Sequence, residues 1–163
     1  MYRYCRNGHY IGTVDPTPRM AVGDPSLSLE ESDREYESSL QPFCTECGAR
    51  IISRCQHCQE RIDPSIAMKK PAFCGRCGRP FPWTEIALQS AMEFTDELGE
   101  LNADDKVALK ETFEYLVVDT ARTPLAASRF KRIVGTLAPT AKDILTKIIV
   151  EVATQAAKTG MGL

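Results

Sequence analysis

Cys5, His9, Cys44, Cys47, Cys55, Cys58, Cys74 and Cys77 are the residues whose types and spacing can do chemistry, and they fall as four pairs within the first 77 positions. They include all seven cysteines of the chain and one of its two histidines. Thiolates two residues apart can point at one metal ion, and four thiolate or imidazole donors close the tetrahedral shell of a structural zinc site. The inventory fits two structural Zn2+ ions with nothing left over. No cysteine or histidine follows Cys77 in the 163 residues, which assigns the metal chemistry and the remaining half of the chain to different modules.

An internal repeat sorts the pairs. Phe43-Cys44-Thr45-Glu46-Cys47-Gly48 and Phe73-Cys74-Gly75-Arg76-Cys77-Gly78 share the pattern Phe-Cys-x-x-Cys-Gly, in which the glycine eases the tight turn of a zinc knuckle. Each follows another pair without that signature and reads as the second half of one ribbon. Site one is then Cys5, His9, Cys44 and Cys47, with a 34-residue excursion between its halves; site two is Cys55, Cys58, Cys74 and Cys77, with fifteen residues between. Closure entropy grows only logarithmically with loop length, about 0.6 kcal/mol per doubling, so the long excursion is tolerable. Cross-braced pairing, in which alternating pairs share ions, is the competing topology. Its histidine usually sits near the middle of the ligand order, whereas here it is second. His57 lies inside the Cys55/Cys58 knuckle, where side chains project away from the metal, and is read as exposed. His9 is read as the eighth ligand, against the alternative of a surface histidine beside a lone Cys5.

Four such ligands leave no position for water or substrate, which argues against catalysis at the metal. Asp104, Asp105, Glu111 and Glu114 fall on helix surfaces with no nucleophile or third group to pair with. No glycine loop suited to phosphate is present. The expectation is a protein that is not an enzyme.

The elements that must hold the ligands are small. Tyr10-Ile11-Gly12-Thr13-Val14 reads as a strand leaving the first pair. Residues 15–42 form an insertion with Pro16, Pro18, Pro25 and Pro42, the acidic run Glu30 to Glu35, and a capping box from Ser28 to Glu31. Few large apolar residues lie between Phe43 and Trp83, so metal replaces a core, contributing on the order of 10–16 kcal/mol per structural zinc in peptide models. Phe73, Phe81 and Trp83 are read as packing at the module junction.

Beyond it, Thr84 caps a helix carrying Ile86, Leu88, Ala91, Met92, Thr95 and Leu98. Asn102 caps one carrying Val107, Leu109, Phe113, Leu116 and Val117. Thr123-Pro124 opens a third with Leu125, Phe130, Ile133, Val134 and Leu137. Pro139-Thr140 precedes a last helix whose Ala141, Ile144, Leu145, Ile148, Ile149, Val152 and Ala156 share a face, widened by Val150, Ala153 and Ala157. So broad a face is weighed in favour of burial within the bundle over a seam with a partner. The expected fold is α+β: a double zinc-ribbon module of short antiparallel strands over 1–83, then a bundle of about four helices over 84–163.

Charge bounds the partners. The net charge is -2, yet residues 44–83 carry seven Lys/Arg against three Asp/Glu. Arg50, Arg54, Arg61, Lys69, Lys70, Arg76 and Arg79 suit phosphate contacts beside stacking aromatics, which makes a nucleic-acid module the alternative to a protein-interaction adaptor. A protein partner or self-association through the carboxy-terminal helices is the leading expectation. Ile144 to Ala153 is interrupted by Lys147 and Glu151 and cannot span a bilayer. Met1 to Arg6 lacks the apolar run of a signal peptide, and a cytoplasmic location is expected.

Taken together, Cys5-Arg6-Asn7-Gly8-His9, Phe43 to Arg50, Cys55-Gln56-His57-Cys58 and Cys74 to Glu85, including the element Cys-Gly-x-Pro-Phe-Pro-Trp-Thr, resemble an uncharacterised bacterial family with an amino-terminal zinc-ribbon region. The likeness extends to the helical region and its Arg122-Thr123-Pro124 start. It implies the eight-ligand set and a bacterial, cytoplasmic protein, and it supplies no activity. The acidic insertion at 15–42 departs from the family pattern.

Overall fold

The computed structural model describes residues 2–13, 40–63 and 70–163; the 15–39 part of the predicted insertion, its capping box, Val14 and Lys69 lie outside these residues. The chain divides into two compact units, Met1–Trp83 and Thr84–Leu163.

In the first unit, three short strands form an antiparallel sheet in the order β2-β1-β3: β1 Tyr2–Cys5, β2 Tyr10–Thr13 and β3 Ile51–Ile52. The central strand delivers Cys5, which opposes Ile51, while Tyr4 opposes both Tyr10 and Ile52. The register slips between Arg3 and Tyr4, leaving Ile11 without a partner in the ladder, as a β-bulge does. Two small apolar clusters result. One gathers Tyr4, Ile62, Phe81 and Trp83 around Cys55 and Cys74; the other sets Ile51, Ile11 and Ala49 against Cys5 and Cys44. Each core is thus built around thiols of the predicted ligand set, in a region too poor in apolar residues to fold on burial alone. Phe81 stacks on Trp83 with centroids 4.8 Å apart, and the indole Nε1 donates to the Pro71 carbonyl at 2.7 Å.

Five helices follow the sheet, the first beginning two residues before the second unit does: α1 Pro82–Glu97, α2 Ala103–Leu116, α3 Thr123–Val134, α4 Pro139–Val150 and α5 Gln155–Met161. The core of the second unit holds Leu109, Phe113 and Leu116 of α2, Ala127, Phe130 and Ile133 of α3, and Leu145 and Ile149 of α4. Asn102 caps α2 as expected, its side-chain oxygen accepting from the Asp105 N–H at 2.8 Å. Thr84 does not cap α1; the helix starts two residues earlier at Pro82, a favoured first helical residue. Thr123 is itself the first residue of α3, and its hydroxyl serves the preceding loop, accepting from Thr120 N–H and donating to the Val118 carbonyl.

The single long last helix expected from apolar periodicity is two helices. Thr154 ends the run: its N–H donates to the Leu116 carbonyl of α2 at 2.9 Å and its hydroxyl accepts from Ala157 N–H at 3.2 Å, capping α5. The wide apolar face is therefore divided among two short helices and the turn between them, with Leu145, Ile149, Val152 and Ala157 buried and Ile144 exposed. α5 approaches α3 so closely that a Cβ at Gly160 would meet the Ala127 Cβ at 2.8 Å. Ile86, Val107 and Leu125, expected on core faces, are instead exposed. In α2 the core positions Leu109, Thr112, Phe113 and Leu116 keep helical spacing, and Val107 falls about 200° from Leu109. No helix among the described residues is long and apolar enough to cross a membrane.

Candidate metal centres

Three of the four predicted ligand pairs sit in the same kind of turn. The N–H of the first cysteine donates to a carbonyl beyond the pair, as in Cys44 to Ala49, Cys55 to Glu60 and Cys74 to Arg79. The carbonyl of that cysteine accepts in return from Gly48, Gln59 and Gly78 at 2.8–3.0 Å. Just outside each turn lies an isolated antiparallel bridge with constant offsets: Phe43 to Arg50, Arg54 to Arg61, Phe73 to Pro80. The Cys55 knuckle, which lacks the Phe and Gly of the repeat, is built like the two that have them. Its Gln59 adopts φ 60° where Gly48 and Gly78 adopt 70°.

The first turn is one residue tighter. Cys5 N–H donates to the His9 carbonyl, Gly8 N–H to the Cys5 carbonyl, and His9 N–H to the Cys5 Sγ at 3.3 Å. Gly8 is favoured by its φ of 86°, and a Cβ there would also crowd Trp83 Cβ at 3.0 Å.

The turns bring the donors together in two sets, Cys5/His9/Cys44/Cys47 and Cys55/Cys58/Cys74/Cys77, with the ligand atoms of each set all within 4.8 Å of one another. The grouping is sequential and not cross-braced. In site one, Cys5 Sγ lies 3.7 Å from Cys47 Sγ and Cys44 Sγ lies 3.7 Å from His9 Nδ1. In site two, Cys55 and Cys77 are 3.7 Å apart at sulfur, and Cys58 and Cys74 are 3.6 Å apart. A Zn–S length of about 2.3 Å sets the edge of a tetrahedron near 3.8 Å, and a nitrogen at about 2.0–2.1 Å shortens the mixed edge to about 3.6 Å. The separations match those edges and are far too long for disulfides, in which sulfurs lie about 2.05 Å apart. The donor chemistry and the spacing fit zinc at both sites.

Burial is shared alike in the two sets. Cys5, Cys44, Cys55 and Cys74 are buried, His9 and Cys58 are half-buried, and Cys47 and Cys77 are exposed. The thiols perturb one another. Burial raises Cys74, but the backbone N–H groups of Cys77 and Arg76 and hydrogen bonds with Cys58 and Cys77 draw it down to about 7. For Cys58 the Glu60 N–H lowers the pKa, yet desolvation and the three neighbouring thiols push it up to about 12. Protons are thus unevenly held among groups that cannot all be anions without a cation between them. A bound metal ion would displace those protons.

Around the ligands, Asn7 Nδ2 approaches Cys47 Sγ at 3.5 Å, and Arg76 inside one knuckle donates to Glu60 beside the other at 2.7 Å. Neither contact was foreseen, although the opposite charges of Glu60 and Arg76 beside paired knuckles are a readable signal. His57 is exposed and belongs to neither set. Of the basic residues, Arg50, Arg61, Arg76 and Arg79 are exposed, and Arg54 and Lys70 are half-buried. Asp104 and Asp105 occupy the first turn of α2, where they complement the helix dipole.

No curated protein and no solved structure matches this chain. Residues 26–161 match a family described as uncharacterized protein conserved in bacteria (DUF2321), and the chain belongs to that family.

Proposed function

We propose that this chain is a non-catalytic, cytoplasmic zinc-binding protein in which two structural ribbons hold the amino-terminal unit together and the helical unit engages a protein partner. The observation that carries this reading is closure of both donor sets: three thiols and an imidazole in one, four thiols in the other, each within 4.8 Å. When bound, zinc supplies the cross-link between strand-poor turns that a thin apolar core cannot. Cys5 and Cys44, on separate elements, would be tied through site one; Cys55 and Cys74 through site two. Large apolar side chains left exposed on the helices, Ile86, Val107, Leu125 and Ile144, support the interaction role.

Elemental analysis of the purified chain is the test. Two zinc ions per chain, with chelation unfolding the ribbons and leaving the helical circular dichroism, is the expected result. One equivalent, or metal lost without structural change, is incompatible with the proposal.

A nucleic-acid role is supported by one specific feature. Arg54 and Arg61 face each other in a bridge flanked by the bonds Cys55 N–H to Glu60 and Ile62 N–H to Ser53, the narrow kind of pair in which like charges are unfavourable. Two guanidinium groups side by side suit one phosphate, and exposed Phe43 opposite Arg50 suits base stacking. Anisotropy with single-stranded and duplex probes at low salt decides it, and absence of binding there sinks this alternative.

A further inference from the structure

The helical unit leaves a concavity that the metal sites do not use. It measures about 750 Å³ and is walled by α1, α2 and α3 through Met92, Thr112, Tyr115 and Ala126. Its free charges are sorted by helix: Glu111 and Glu114 come from α2, Arg122 from the N-cap of α3 and Arg129 from its second half. Lys110, also at the wall, is engaged by Asp96. Glu111, Glu114 and Arg129 make no ion pair or side-chain hydrogen bond among the described residues. Arg122 is held in place, donating to the Tyr115 hydroxyl at 2.8 Å with its Cζ 5.4 Å from that ring's centroid. Beside these charges stands Leu125, 54 % exposed.

A small-molecule pocket converges a few polar groups on an enclosed space. Here an acidic row and a basic row flank an open groove, which suits a surface bearing the same two rows in exchanged order. The chain itself is such a surface. Phe113 meets Phe130 and Tyr115 meets Arg122, so α2 and α3 run antiparallel, with the acidic row along one side of the groove and the basic row along the other. Rotation by 180° about an axis lying in the face and parallel to these helices exchanges α2 with α3 and preserves each residue's height. An axis across the helices would instead set acid on acid.

We propose that the α2–α3 face is the interface of a twofold dimer of this chain, in which the row of Glu111 and Glu114 of one copy faces the row of Arg122 and Arg129 of the other and each Leu125 enters the other's concavity. A twofold interface must be self-complementary, and sorted, unpaired charges around an exposed leucine meet that condition. The dimer is independent of the zinc assignment, because every residue it uses belongs to the helical unit.

Sedimentation velocity on the full-length zinc-loaded chain at low salt tests it. The wild type is expected at twice the monomer mass. The double variants E111K/E114K and R122E/R129E are each expected to be monomeric, since each makes both rows one sign, and an equimolar mixture of the two is expected to return to dimer mass. Leu125→Asp, at an exposed position where folding is undisturbed, is expected to be monomeric with unchanged circular dichroism. A monomeric wild type, a dimer that survives both charge reversals, or folded variants that do not recombine would each overturn the proposal.

Discussion

Gln59 holds φ 60° at the place in its knuckle where Gly78, across the second site, holds 70°. A side chain in the left-handed region costs roughly 1–2 kcal/mol, and glycine returns part of that gain through its greater unfolded-state freedom. The surrounding turn tolerates the strain because Gln59 N–H is bonded to the Cys55 carbonyl. Gln59→Gly is therefore expected to stabilise the zinc-loaded ribbon by about 0.5–1 kcal/mol, seen as slower metal loss to a chelator. Gly78→Ala should move the rate the other way. Faster loss from Gln59→Gly would contradict this account of the turn.

Cys44 is buried, and its sulfur lies 3.7 Å from His9 Nδ1. Cys44→Ser and His9→Ala each remove a donor from site one only, because the sets share no residue. Zinc content is expected to fall from two equivalents to one in either variant, while thiol protection of Cys55, Cys58, Cys74 and Cys77 persists. Retention of two equivalents in both variants would be the disproving result.

The ligand inventory was legible because ligation demands residue types that few other roles require, and spacing then reports the turn. The glycine repeat led to the grouping in which the donor atoms lie, but it understated the likeness of the turns: Gln59 adopts the glycine conformation without being glycine, and a composition-based signature does not detect backbone strain. Helix periodicity located the core positions of α2 and α3, since burial repeats with the helix itself. It overran at Thr154, where the break is fixed by the carbonyl of Leu116, thirty-eight residues earlier. Leu125 looked like core for a related reason: hydrophobicity alone does not say which side of a helix finds a neighbour.

Trp83 is the only tryptophan in the chain, and it is buried against Phe81 and Tyr4 in the cluster that also contains Cys55 and Cys74. Its fluorescence should therefore report on site two. Chelation is expected to shift emission to the red as the ring gains water. Trp83→Phe keeps an aromatic in the cluster and loses the bond to the Pro71 carbonyl, at a cost of about 1 kcal/mol. Emission that is unchanged after complete metal removal would separate the cluster from the metal.

Thr154 performs two tasks at the α4–α5 break, donating its N–H to Leu116 and accepting from Ala157 N–H through its hydroxyl. Only the second depends on the side chain. Thr154→Ala is accordingly expected to cost about 1 kcal/mol, in the range found for loss of an N-cap, and to lower the melting temperature of the helical unit by roughly 4–8 °C. Thr154→Ser retains the hydroxyl and should recover most of that loss, which distinguishes capping from the packing of the threonine methyl. If serine is as damaging as alanine, the side chain acts through its methyl group and not through the cap, alongside the backbone bond to Leu116.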